Sequence, residues 1–456
     1  MTGPVRMSPE DSAFWKMESE VSRMHSVTLA TFAGPAPSHD ELRSHVAGCV
    51  PLVPRFRQRV QEVPFDAGRP MWIDDPDFDL DDHLIGASAS VGMASLSELV
   101  SLIVSRQLDR SRPLWQLTVV DGLPDDEWAM VSKVHHSMID GLFGTEPLAV
   151  LIDGAVGRSA PAVRWSPGPP PTATELLGQS IAELAFNPAE QYRFLRASTK
   201  RTRRRWDRLT GRSRAPVTDP TGLRGPVGAA RAWTSVVVEM EALRTARRRF
   251  GASTHELVLA LVTSGIRELL LARDESGREW PTVQAIVPMA VAGGAAAFHG
   301  GVEATMIELP VAEPDLTDRI DRLHREVHMA TSKGAAIDDQ IGVAGFAAPA
   351  LASLGLREAT RRGVTDRKAH TTIVNVPGPR HELSVLGRPM TEIHPVMPLA
   401  AGVRLSIGVL SYLDHLTFGV TTDRDSVPDG HVVTSGIRHA LDELSNQELE
   451  TEHASG

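Results

Sequence analysis

Short β-branched or alternating apolar runs recur along this chain, and longer runs with helical spacing fall between them. Trp128 to Val134 reads as a strand, with Leu117-Thr118-Val119-Val120 as its hairpin partner through Asp121-Gly122 and Pro124. A second set opens at Ala232-Trp233-Thr234-Ser235-Val236-Val237-Val238, a strand followed by a helix at about 240–249. The next helix has Ser253 or Thr254 as its candidate N-cap and carries an apolar stripe to about Arg273. Further strands are predicted at Val283 to Pro288, Ala304 to Leu309, Thr371 to Val376, Leu405 to Tyr412 and His415 to Thr421. Glu175 to Arg196 has the apolar spacing of a helix. Strands and helices interleave in both halves, so the class is α/β or α+β. Between the halves, Ala160 to Pro171 holds five prolines and reads as a linker. No stretch reaches the ~18 uninterrupted apolar residues of a transmembrane helix. The nearest, Ile341 to Leu356, is broken by Pro349 and several glycines; it reads as buried or tunnel-lining, with a membrane-facing patch as the alternative.

At 456 residues the chain is too long for one core and suggests two domains. Its 42% hydrophobic and 23% charged residues are those of an ordinary soluble globular protein. A net charge of -10 argues against bulk nucleic-acid binding. The single cysteine, Cys49, leaves no internal disulfide and fits a reducing cytoplasm. Lying in the apolar run Val46 to Val53, it reads as a small buried hydrophobe. The N-terminus shows no charged-then-apolar leader. Against the acidic background stands a basic run: Lys200, Arg201, Arg203, Arg204, Arg205, Arg208, Arg212 and Arg214, with Trp206 inside it. It is either a solvated linker face or a membrane-surface contact. In the second case each cation gains about 1 kcal/mol near anionic lipid, and the tryptophan anchors at the interface.

The candidate chemistry is concentrated in His135-His136-Ser137-Met138-Ile139-Asp140-Gly141, where the strand runs out into a loop. Histidine passes protons near neutral pH. On extended chain, neighbours point to opposite faces, so one histidine can face a cavity while the other braces the scaffold. A loop with two satisfied histidines is the plain alternative. A metal site is a poorer one, because adjacent histidines diverge and no third ligand is near.

The chain resembles the bacterial wax ester synthase/diacylglycerol acyltransferase family, within the chloramphenicol-acetyltransferase-like and condensation-domain superfamily. The family signature HHxxxDG is matched in full by His135 to Gly141. Other matching stretches are Met7 to Phe14, Met24-His25-Ser26, Asp75 to Leu80, Leu108 to Trp115, Asn375-Val376-Pro377-Gly378-Pro379, and Leu410-Ser411-Tyr412 with the tail through Asp429. They run from about residue 7 to about 445. Three positions depart from the family. The helix after Ser253 carries His255-Glu256 where the family has Asn-Asp, Gly300-Gly301 replaces a Gly-Asn, and Val287 to Val291 lacks the usual arginine.

The resemblance implies two similar acyltransferase halves with a substrate tunnel at their interface. The expected division is 1–159 for the half carrying HHxxxDG, 160–230 for a Pro-rich and basic helical linker, 231–448 for the second half and 449–456 for a tail. It implies an O-acyltransferase that takes acyl-CoA as substrate and needs no further cofactor or metal. The acceptor would be diacylglycerol or a fatty alcohol, and the product triacylglycerol or a wax ester. His136 would be the general base and would then protonate the leaving thiolate. No GxSxG elbow is present and Cys49 lies outside any basic pair, so direct transfer in a ternary complex is expected. Asp140 would lock the loop through Arg55 or Arg57, and Gly141 would supply a tight turn. Pro113, Leu114 and Trp115, and Asn375, Pro377 and Gly378, would shape the tunnel or core, with His255 and Glu256 nearby. Arg203, Arg204, Arg205 and Trp206 are candidates for contact with the inner membrane face or a lipid body. Two other functions stay open: a superfamily acyltransferase with a polyketide hydroxyl or amine acceptor, and a non-catalytic lipid-binding descendant.

Overall fold

The computed structural model describes residues 4–88, 92–138, 147–153, 167–186, 219–273, 282–290, 302–331, 369–400 and 402–454. The first half contains β1 (Val5–Arg6), α1 (Pro9–Met17), β2 (His25–Ala33), α2 (His39–Cys49), β3 (Gln58–Gln61), β4 (Met71–Asp74), β5 (Leu84–Ser88), α3 (Gly92–Ser105), β6 (Trp115–Asp121), β7 (Glu127–His135), α4 (Pro147–Leu151) and α5 (Ala173–Phe186). The second contains β8 (Arg231–Glu239), α6 (Met240–Phe250), α7 (Thr254–Ala272), β9 (Val283–Ala290), β10 (Val302–Leu309), α8 (Leu316–Thr331), β11 (Thr371–Val376), β12 (Ser384–Val385), β13 (Arg388–Val396), β14 (Leu405–Tyr412), β15 (His415–Asp423) and α9 (His431–Ala454). Among the described residues no helix is long and apolar enough to cross a membrane.

The expected β6–β7 hairpin is present and antiparallel, with Trp115 opposite Val134. Both faces of β7 are covered, which explains why its sequence is an almost continuous apolar run rather than an alternation. Trp128, Met130 and Val134 face one core. Ala129 and Val131 pack with Leu96, Val100, Ile103 and Val104 of α3 in another. Lys133 falls in this second row and is buried with them. Its ammonium is satisfied by donating to the carbonyls of Ile103 and Arg106, at the C-terminal end of α3.

Two six-stranded sheets form the frame, in the orders β12-β13-β2-β7-β6-β5 and β10-β9-β11-β14-β15-β8. The first is completed by strands from the second half. β13 pairs antiparallel with β2, from Val396 opposite Val27 to Met390 opposite Phe32. Residues 384–396 thus leave the half to which the division at 231–448 assigns them. Backbone pairing, not chain order, sets where they belong.

β13 crosses β14 and β15 at two glycines that are themselves cross-strand partners, Gly408 and Gly419. A Cβ on Gly419 would overlap the Pro395 carbonyl, and one on Gly408 would press on Met397 and Pro395. Absence of side chains here lets the two sheets approach. Beside this crossing lies a narrow apolar cleft between the halves, edged by Ser26, Thr28, Val374, Val376, Met397 and Leu410. A larger groove of about 780 Å³ between β10 and α8 is lined by second-half residues such as Arg322, His324 and His328. It includes none of the heptad. The seam cleft is lined by Ser26, Val27 and Thr28 of β2, the strand that His25 begins.

Several sequence expectations fall outside the described residues: Asp140 and Gly141, the basic run with Arg203, Arg204, Arg205 and Trp206, Gly300-Gly301, Ile341 to Leu356, and the helix of 175–196 beyond Phe186.

Candidate active site

α1 is started by Ser8, whose hydroxyl accepts from the Asp11 N–H, and by Pro9 in its first turn. Its C-cap residue is Glu18, whose N–H donates to the Phe14 carbonyl. The helix lies across the end of β7 and presents Phe14, Trp15 and Glu18 to the two histidines.

His135 is the last residue of β7 and stands opposite His25 of β2. Its N–H donates to the Leu114 carbonyl at 2.9 Å. His136 begins a 3-10 turn, His136–Met138, and its N–H donates to the Met24 carbonyl at 2.8 Å. The two backbone N–H groups thus point to opposite neighbours, His135 to the β6 side and His136 to the β2 side. The strand stops between them, and both residues are fully buried.

Their surroundings differ nonetheless. His135 makes edge contacts with the Trp15 and His25 rings. The Ser137 N–H donates to His135 Nδ1 at 3.0 Å, with the Ser137 hydroxyl 2.7 Å from the same nitrogen. An acceptor at Nδ1 puts the proton of the neutral ring on Nε2. That nitrogen lies 3.5 Å from Glu18 Oε2. His136 has its ring 5.6 Å from that of Phe14. Phe14 and Met24 in turn pack with Ile286, Ala369, Ala400 and Val403 of the second half. His136 thus sits under the seam, and His135 is turned into the first half.

Glu18 was not singled out by its sequence context. Its side chain is 1% exposed, and its other oxygen is 3.0 Å from His25 Nε2. Burial works against its charge, but the facing His135 and His25 outweigh that and hold its carboxyl well below the usual range. Burial, aided by the charge of Lys133, pulls His25 down to about 3. His25 therefore meets Glu18 as a neutral ring rather than as a cation. Burial, with Arg23 adding to it, lowers Lys133 to about 7.

Leu114 and Trp115 are core; the Trp115 indole donates to the Phe56 carbonyl and stacks on His83 at 4.4 Å. Pro113 is buried beside them. Gly378 is needed because a Cβ there would overlap the Ser411 carbonyl, while its N–H donates to the Ser411 hydroxyl at 2.9 Å. Pro377, next to it, is exposed. Asn375 and His255 are brought together, Nδ2 to Nδ1 at 3.5 Å. Glu256 closes a capping box with Ser253 at the start of α7 and reaches His324 at 3.1 Å. Arg55 donates to Gln58 at 2.6 Å and lies over the Trp72 ring, and Arg57 is near Asp74. Cys49 is only partly buried, with its thiol 3.7 Å from the Val150 carbonyl; burial raises its pKa.

Two family models match the chain: the wax ester synthase/diacylglycerol acyltransferase catalytic domain over residues 7–258, and the WS/DGAT C-terminal domain over 301–445. A putative diacylglycerol O-acyltransferase of Mycobacterium bovis is 32% identical, covering 95% of this chain and 94% of that protein. Another, from Mycobacterium tuberculosis, is 29% identical over the same shares. Among solved structures, the wax ester synthase/diacylglycerol acyltransferase of Marinobacter aquaeolei VT8 is similar with a TM-score of 0.66 at 19% identity, covering 97% of this chain and 99% of that one. The first condensation domain of the calcium-dependent antibiotic synthetase is similar at 0.54 and 15%, covering 96% of each chain. At these identities the structural likeness speaks for the two-half fold alone.

Proposed function

The chain belongs to the wax ester synthase/diacylglycerol acyltransferase family, and from that premise we propose that it moves a long-chain acyl group from acyl-CoA to a hydroxyl of diacylglycerol or a fatty alcohol. In this reading His136 takes the hydroxyl proton as the oxygen attacks the thioester carbonyl. The tetrahedral intermediate collapses with cleavage of the C–S bond, and the imidazolium returns its proton to the departing CoA thiolate. A positioned imidazole contributes typically 10²–10⁴-fold to such a step. Both substrates are bound together, meeting at the histidine from the two halves.

One observation carries the assignment. His135 has Nδ1 accepting from Ser137 and Nε2 turned to Glu18. Its lone pair is engaged by the Ser137 N–H, so the base role falls to His136 at the seam. The test is purified protein with palmitoyl-CoA and either hexadecanol, dioleoylglycerol or a long-chain amine, following free CoA with a thiol reagent. CoA release with either hydroxyl acceptor and not with the amine is expected. Release with the amine alone would favour a condensation-type acceptor, and none with any acceptor would favour a lipid-binding role.

The acceptors and products are insoluble in water, so the enzyme would work at an anionic membrane or lipid-droplet face through the basic run around Arg203, Arg204, Arg205 and Trp206. Changing the three arginines to Gln should weaken sedimentation with phosphatidylserine vesicles. Identical sedimentation would return the run to a linker face.

A further inference from the structure

We propose that Glu18 is a positioning residue for the acyl transfer: its buried carboxylate, shared between His25 and His135, fixes the His135 ring and through it the turn that aims His136. The inference rests on the reading of His136 as base. Glu18 caps α1, His25 begins β2 and His135 ends β7, so one side chain ties the N-terminal segment to a strand far along the chain. The distances are 3.0 Å to His25 Nε2 and 3.5 Å to His135 Nε2.

The consequence runs through the tautomer. A carboxylate facing Nε2 favours a proton there and leaves Nδ1 with its lone pair. That lone pair accepts from the N–H of Ser137, the residue after His136 in the same turn. Were the proton on Nδ1, it would oppose the Ser137 N–H and the turn would lose this bond. The His136 N–H is held in turn by the carbonyl of Met24, whose neighbour His25 is the other partner of Glu18. Both backbone restraints on the base thus lead back to one carboxylate. It is also a charge set against His135, the residue before the base. A fixed anion near His136 favours the imidazolium that forms as the alcohol loses its proton.

The groups facing Glu18 are His25 from β2, His135 and Lys133 from β7, Arg23 from the segment before β2, and Arg110 from the loop after α3, whose Nε is 3.9 Å away. Substituting Glu18 removes the anion and leaves these five, so a cation formed beside them is less favoured. The acid limb of the kcat/KM profile should then move to lower pH.

Glu18→Gln keeps the shape and loses the charge. With palmitoyl-CoA and a short soluble alcohol we expect kcat to fall on the order of 10–100-fold, as for a misaimed catalytic group. KM for palmitoyl-CoA should stay close to the parent's, the acid limb should move down, and Glu18→Asp should recover part of the rate. Parent-like kcat and profile in Glu18→Gln, with His136→Ala inactive, would overturn the inference alone. An active His136→Ala would overturn the reading beneath it. A loss of kcat without movement of the acid limb or recovery in Glu18→Asp would reduce Glu18 to a structural group and overturn the proposal too. Should Glu18→Gln fail to fold, the parent decides by ¹⁵N imidazole shifts, with His135 assigned through His135→Gln. The Nε2–H tautomer at neutral pH supports the proposal and the Nδ1–H tautomer contradicts it.

Discussion

At the scale of single residues, the two adjacent histidines are distinguished by what their nitrogens meet. His135 accepts from Ser137 on one side and faces Glu18 on the other, inside a cage of Trp15 and His25. His135→Ala removes the acceptor of a buried N–H and one of the two imidazoles beside a buried carboxylate. Each such loss costs about 1–3 kcal/mol. We expect a lower melting temperature by circular dichroism together with residual acyl transfer. An unchanged melting curve would show that His135 braces nothing. The heptad was legible in the sequence because its residues are contiguous and their spacing is a signature. Glu18 was not, because its role arises only when positions 18, 25 and 135 meet. The one sequence signal was an acid placed seven residues before His25, between the matching stretches Met7 to Phe14 and Met24 to Ser26.

At the scale of elements, local signals served well. Strands Thr371–Val376 and Leu405–Tyr412 form over the expected residues, and α7 starts at Ser253 with its capping box. Burial patterning and cap chemistry are properties of neighbouring residues, so one sequence suffices to see them. The pairing of β13 with β2 is not such a property. Arg388–Val396 carries Pro389 and Pro395 and gives no clear strand signal, and its partner lies more than 350 residues away. The crossing it makes is sterically demanding. At Gly419 an added Cβ meets the Pro395 backbone carbonyl, which cannot turn aside. At Gly408 the nearest atom is a Met397 side-chain carbon, which can. Overpacking of this kind costs about 1–3 kcal/mol. Gly419→Ala should therefore lower the urea midpoint more than Gly408→Ala does. The reverse order would mean that the sheets adjust at the backbone and not at the side chains.

At the scale of the whole molecule, the two halves depend on each other. The first sheet takes β12 and β13 from the second half, and Phe14 and Met24 beside the histidines are covered by Ile286, Ala369, Ala400 and Val403. A fragment of residues 1–230 lacks both, and should not give a cooperative thermal transition by circular dichroism. A sharp native-like transition from it would contradict the shared sheet. The same dependence places the candidate base at the meeting of the halves. The central claim is that His136 moves the proton in acyl transfer to a hydroxyl. Its most direct test is the kcat/KM of His136→Ala, measured by CoA release from palmitoyl-CoA with dioleoylglycerol, on protein whose near-ultraviolet circular dichroism matches the parent's. A fall of about 10²–10⁴-fold is predicted; a rate within about twofold of the parent's would contradict the account.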